Sequence, residues 1–496
     1  MPPARIAFRF LVGLLLAGLV VSARAAGLPA AFTSELKQAG IPLDHVAVVV
    51  QPLDAKKPLL SHNAGAALNP ASVMKLVTSF AALDRLGPVY AWTTDVWADG
   101  VVAGGVLDGD LVIKGYGDPG LTLERMWLLQ RELRVRGIRH VRGNLVLDLS
   151  HFDVAPIDPG AFDGEPFALY NATPGPLVAN FNATTLRLRP DGDQVRIEPD
   201  TPLPGVALRS QLVLEETLEC NALDQQRRRA RLGSQLVLEE TLECNGWKDA
   251  LTPVQPDPEH PELVVSGRYA RGCGEQAWPL SLFDPAVTFD LVFRGLWAEA
   301  GGTLDGATVP GMAPQSPPLL RFESEPLTAA LVRLNKHSNN LMTRNLFLTL
   351  GAEIYGAPAT LDKGARAVKA VLAQRGVPTR KLVLENGAGL SRIERISADA
   401  LTRILHAAYH SPLFSEFESA LPIVALDGTL KRRFNGSALG GNAHLKTGTL
   451  RDVSALAGYV YSARGERVSF VMLVNHTNAR RSEAAQRALL EWVQAQ

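Results

Sequence analysis

Three short groups of residues have the types and spacing for acyl transfer by a serine. Ser72-Val73-Met74-Lys75 puts a hydroxyl and an amine at i and i+3, on one face of a predicted helix, so the amine can reach the hydroxyl. Ser338-Asn339-Asn340 falls between two helical runs, where a loop would present Ser338 and Asn340 to a cleft. Lys446-Thr447-Gly448-Thr449 lies on a predicted strand, and Gly448 there would let another backbone or a ligand approach closely. A serine hydroxyl is a weak nucleophile at neutral pH, so a neighbouring amine with a lowered pKa is needed as base. Each group alone also fits an ordinary feature: a capped surface helix, an N-cap, and a turn or bulge.

The elements that must hold these groups can be read around them. The run HVAVVVQPL from His45 is β-branched and apolar, as in a buried strand. Asn69-Pro70 then offers an N-cap and a first helical residue for a helix with Val73, Val77, Phe80 and Leu83 on its buried face, ending near Gly87. From about 90 to 285 short alternating strands such as DLVIKGYG, NLVLDL and ATTLRLRP are separated by Gly, Pro and Asp turns, which predicts a β-rich insert. One helix is expected inside it over 123–137, with Trp127, Leu128, Leu133 and Ile138 on or beside its apolar face. After Phe283 come five helical runs, then HLKTGTL, VSALAGYVYS and VSFVMLVN as three strands, and a last helix in RRSEAAQRALLEWVQ. The expected fold is α+β, one domain from 26–90 and 285–496 interrupted by an insert over 91–284 in two subdomains.

Composition narrows the function. With 496 residues, 46% hydrophobic, the chain can bury sizeable cores, and 50 basic residues balance 50 acidic ones, so no net field favours nucleic acid as a partner. The three cysteines, Cys220, Cys244 and Cys273, lack metal-site or C-x-x-C spacing, and neither metal nor cofactor is expected. Arg5 and Arg9 precede an apolar stretch over 10–21, followed by Ala23-Arg24-Ala25, the pattern of a secretory signal over 1–25. About 12 apolar residues fall short of the roughly 20 that span a bilayer, so an exported, periplasmic protein with at most peripheral membrane association is expected. The segment SQLVLEETLECN occurs at 210–221 and again at 234–245, which fits a local duplication in a surface segment and not a solenoid.

S-x-x-K, S-x-N and K-T-G in this order match the motif set of penicillin-binding proteins and β-lactamases. The chain resembles the class C low-molecular-mass penicillin-binding proteins, D-alanyl-D-alanine carboxypeptidase/endopeptidases, in these motifs and in GYGDPGLT (115–122), YNATPGPLVANFNA (170–183), ENGAGLSR (385–392) and DGTLKRRF (427–434). The long interval between Lys75 and Ser338 looks like that family's inserted domains. Asn339 stands where the motif carries Asp, and the duplicated segment is foreign to the pattern.

The resemblance implies a serine DD-peptidase/β-lactamase-like domain and no cofactor. Ser72 would be the nucleophile, Lys75 the base, and Ser338 the proton relay to the leaving amine. Asn340 would contact the substrate backbone, Lys446, Thr447, Gly448 and Thr449 would hold its carboxylate, and the amides of Ser72 and Thr449 would form the oxyanion hole. Peptidoglycan stem peptides would be substrates and β-lactams covalent inhibitors. The resemblance, with a tryptophan soon after a cysteine and a Gly-Cys further on, also implies a Cys244–Cys273 disulfide; Cys220–Cys273 stays open because the two copies are identical. A β-lactamase and a non-catalytic cell-wall binding protein of the same fold are the alternatives.

Overall fold

The structure, a computed structural model, describes residues 27–216, 247–248, 251–254 and 262–496. The signal segment 1–25, Cys220, Cys244 and most of the 210–245 duplication lie outside the described residues. Cys273 is disulfide-bonded, and the choice of its partner lies outside them too.

The chain's two ends build one antiparallel sheet of five strands, in the order Ala443–Thr449, Val453–Tyr461, Arg467–Asn475, Val46–Pro52 and Leu60–His62. Side chains alternate across a strand, so Val46, Val48 and Val50 enter one core while Ala47 and Val49 enter another. Both faces are thus covered, which is why this strand is apolar from Val46 to Val50. Helices Ala30–Gln38 and Glu483–Gln494 cover the first face through Phe32, Leu36, Leu489 and Leu490. Helices Met74–Leu86, Leu327–Lys336, Asn340–Tyr355, Leu361–Gln374 and Ala398–Tyr409 pack over the second. The motif strand Ala443–Thr449 is the edge of this sheet, and its outer side is bridged at its start by residues 422–424, through the pairing of Ile423 with His444.

Between the two ends of the chain, the described residues form a seven-stranded sheet and two three-stranded sheets. Strands Thr93–Ala103 and Val106–Gly115 centre the larger one, covered by helices Leu123–Val135 and Pro285–Glu299. The helix expected over 123–137 is present as Leu123–Val135; Leu133 and, just beyond it, Ile138 are buried as expected, with Met126, Leu129 and Gln130, whereas Trp127 and Leu128 face solvent.

Residues 285–323 depart from the expected division of the chain. Strand Leu320–Glu323 pairs with Thr93–Ala103, Thr303–Leu304 pairs with His140–Val141, and Phe289, Phe293 and Trp297 lie in the core beneath that sheet. We propose that the insert runs to about Glu323, because β-pairing and a shared core define a folding unit better than the onset of helical periodicity.

Candidate active site

Ser72 lies in a 3-10 turn, Ala71–Val73, that leads into helix Met74–Leu86. Lys75 follows in the first turn of that helix, so residues i and i+3 share one face and its amine reaches the Ser72 hydroxyl. Asn69 does not cap the long helix as expected. Its Oδ1 accepts from the Ala71 amide at 2.9 Å, and its Nδ2 donates to the Ser391 carbonyl at 2.8 Å. Ala71 has φ 46°, a left-handed conformation unusual for a residue with a side chain. The nucleophile turn is therefore built from an Asx turn and a strained residue, and Gly87 ends the helix as its pattern requires.

Lys75 is fully buried, and its Nζ has three neighbours: Ser72 Oγ at 3.0 Å, Asn340 Oδ1 at 2.6 Å and the Ala388 carbonyl at 2.5 Å. The two carbonyl-type oxygens can only accept, so a neutral amine gives them its two N–H groups and turns its lone pair to the Ser72 hydroxyl. An ammonium satisfies the same three oxygens with three N–H groups. One cage thus fits both proton states. Burial lowers the Lys75 pKa well below its ordinary value, Lys446 and Arg344 lower it further, and Glu394 opposes them.

Ser338 also has a left-handed backbone, φ 56°, in the link between helices Leu327–Lys336 and Asn340–Tyr355. Its Oγ accepts from Lys446 Nζ at 2.9 Å, which leaves the hydroxyl proton free to point elsewhere. Asn339 is the N-cap of the following helix, its side chain accepting from the Met342 amide at 2.9 Å. Asp and Asn cap equally well, which explains in physical terms the departure at the middle of this motif. Asn340 is engaged at both ends, since its Nδ2 donates to the Tyr170 carbonyl at 2.8 Å. The substrate contact expected of Asn340 would have to replace one of these bonds.

Lys446 is fully buried on the edge strand and also donates to the Thr447 carbonyl at 3.0 Å. Burial brings its pKa down to about 7. The Thr447 hydroxyl lies 2.9 Å from that of Thr429, and Thr449 ends the strand with its side chain exposed. A Cβ on Gly448 would lie 2.4 Å from the Pro70 carbonyl oxygen and 3.1 Å from the Ser72 amide. The motif strand is pressed against the nucleophile turn, as the glycine in the motif predicts.

Ser72, Lys75 and Asn340 thus share one set of hydrogen bonds, Ser338 and Lys446 share another, and Gly448 presses against the backbone of the turn that carries Ser72. Several neighbours escaped sequence reasoning. The Ala388 carbonyl is one, because a backbone oxygen has no side-chain signal, although the flanking glycines of ENGAGL hinted at an unusual turn. Gly389 has φ +82°, and a Cβ there would lie 1.8 Å from the Ala71 carbonyl oxygen. Glu394, buried behind the loop, and Thr429 are others. The insert contributes too: Phe162, like Leu390, packs against Ala71, Leu450 and Val453, and Arg344 donates to the Ala172 carbonyl at 2.8 Å. Among the described residues no cluster of His, Cys, Asp and Glu could hold a metal, and no helix is long and apolar enough to cross a membrane.

Known proteins share this architecture. The crystal structure of penicillin binding protein 4 (dacB) from Haemophilus influenzae superposes with a TM-score of 0.75 at 24% identity, covering 94% of this chain and all of that one, so the fold is the same. In sequence, the chain is 26% identical over 446 residues to D-alanyl-D-alanine carboxypeptidase DacB of Haemophilus influenzae, covering 87% of this chain and 85% of that protein. It is 29% identical over 448 residues to D-alanyl-D-alanine carboxypeptidase of Actinomadura sp. (strain R39), covering 87% of this chain and 78% of that one. Residues 28–252 and 252–496 both match one family's pattern, and with the motif residues gathered around Ser72 this chain belongs to the D-Ala-D-Ala carboxypeptidase 3 (S13) family.

Proposed function

We propose that this protein is a serine DD-peptidase that hydrolyses D-Ala-D-Ala and D-Ala crosslinks of peptidoglycan stem peptides through an acyl-enzyme on Ser72. Neutral Lys75 takes the Ser72 proton as Oγ attacks the carbonyl of the penultimate D-alanine. The proton reaches the leaving amine through Ser338, whose oxygen is held by Lys446. Lys446, Thr447 and Thr449 bind the carboxylate beside the scissile bond, and the amides of Ser72 and Thr449 stabilise the oxyanion. Asn340 acts chiefly by holding Lys75. Water then hydrolyses the ester.

The observation that carries this mechanism is the 3.0 Å approach of Lys75 Nζ to Ser72 Oγ inside a buried cage of two pure acceptors. β-Lactams acylate the same serine, a proposal supported by the similar Haemophilus influenzae protein having been crystallised as a complex with a β-lactam. Residues 1–25 direct export to the periplasm, where the substrate is. Incubation of the mature protein with isolated muropeptides, with products identified by mass, tests the activity: released D-alanine and cleaved crosslinks support it, and unchanged muropeptides refute it.

A further inference from the structure

A buried carboxylate outside the three motifs organises the loop that meets Lys75. Glu394 is fully buried, and its Oε1 accepts from three successive amides, those of Glu385 at 3.0 Å, Asn386 at 2.9 Å and Gly387 at 2.8 Å. Its Oε2 is buried with no hydrogen-bond partner. Three N–H groups converging on one oxygen form an anion-binding nest, so here the side chain is the anion and the loop wraps around it. The wrapped loop continues into Ala388, whose amide is held by Asn386 Oδ1 at 2.9 Å and whose carbonyl receives Lys75 Nζ. Thr78, one turn after Lys75, fixes the Gly387 carbonyl at 2.7 Å. A surface glutamate would need none of this arrangement.

We propose that Glu394 is a positioning residue for acylation: its carboxylate shapes the 385–388 loop so that the Ala388 carbonyl meets Lys75, and its negative charge acts on that amine. The charged groups around Lys75 are Lys446 on the edge strand, Arg344 on helix Asn340–Tyr355 and Glu394 itself, with Glu385 acting on Arg344. Both cations disfavour a proton on Lys75 and Glu394 favours one. Glu394 therefore keeps Lys75 from becoming too weak a base, while the cage keeps it in place. Burial in turn raises the Glu394 pKa above the usual carboxylate value, and the three amides and Lys75 offset only part of that rise.

The proposal rests on Lys75 as the base, and the experiment separates the two. Rates of acylation by a fluorescent penicillin are measured against pH for the wild type, Lys75→Ala, Glu394→Gln and Glu394→Asp. Lys75→Ala reports on the base alone: full acylation there would refute the mechanism above whatever Glu394 does. Glu394→Gln keeps an acceptor for the loop and removes the charge. Its acidic limb should move to lower pH by about one unit, with a lower plateau because the base is weaker. Glu394→Asp keeps the charge but withdraws it by one methylene, and should lose about tenfold or more in plateau rate through misplacement, with the limb unmoved. An unmoved limb in Glu394→Gln, or a wild-type plateau in Glu394→Asp, overturns the proposal. If Glu394→Gln does not fold, the Glu394→Asp plateau decides.

Discussion

Asn340 Oδ1 lies 2.6 Å from Lys75 Nζ while Asn340 Nδ2 donates to the Tyr170 carbonyl, so one side chain couples the base to the loop arriving from the insert. The amide orientation follows from chemistry, because Tyr170 offers an acceptor and only the nitrogen can donate to it. Asn340→Asp puts a carboxylate against both the amine and a carbonyl. The new charge should hold the proton on Lys75, cutting acylation at pH 7 by about 100-fold, the scale of losing a general base. Raising the pH should restore part of the rate, and a loss independent of pH would contradict the assignment.

Gly448 lies where no side chain fits. The atoms a Cβ would meet, Pro70 O, Ser72 N and Val73 N, are all backbone of the nucleophile turn and cannot rotate away. Gly448→Ala is expected to cost about 1–3 kcal/mol in stability, as overpacking does. It should also lower acylation on the order of 100-fold by moving Ser72. Denaturant unfolding and penicillin labelling of the same sample check both, and a variant that acylates like the wild type would show that the contact is slack.

Burial penalises the Lys446 ammonium and brings its pKa from the ordinary 10.5 of a lysine down to about 7 in the folded chain. Between these values the unfolded chain binds a proton that the folded one has released, so this group's contribution to stability rises with pH from about 7 to 10.5. Lys446→Met removes that dependence. The wild type should therefore gain stability relative to Lys446→Met as pH rises through this window, measured by urea unfolding at several pH values. Parallel curves would mean that Lys446 is not shifted.

Much of this site is legible in the sequence because its parts are side chains at fixed spacings on regular elements. Ser72 and Lys75 share a turn, Lys446 and Gly448 share a strand, and apolar periodicity reveals both elements. What stays hidden is tertiary. Glu394 looks like any surface acid until three amides from its own loop are seen to converge on it. The Ala388 carbonyl has no side-chain signature, and Thr429 meets Thr447 from a separate loop, beside the ion pair of Asp427 with Lys336. The limit of the insert is hard to read from sequence because helix Pro285–Glu299 has the same periodicity whichever core it joins, and only the fold shows Phe289, Phe293 and Trp297 packing under the seven-stranded sheet.

The central claim is that Ser72 becomes acylated with Lys75 as its base. Mass mapping of the peptide labelled by a penicillin, and separately of the ester trapped with a stem-peptide substrate by acid quench, tests it most directly. Both adducts should lie on Ser72, be absent in Ser72→Ala, and form at least about 100-fold more slowly in Lys75→Ala. An adduct on Ser338, or labelling that survives Ser72→Ala, would contradict the account.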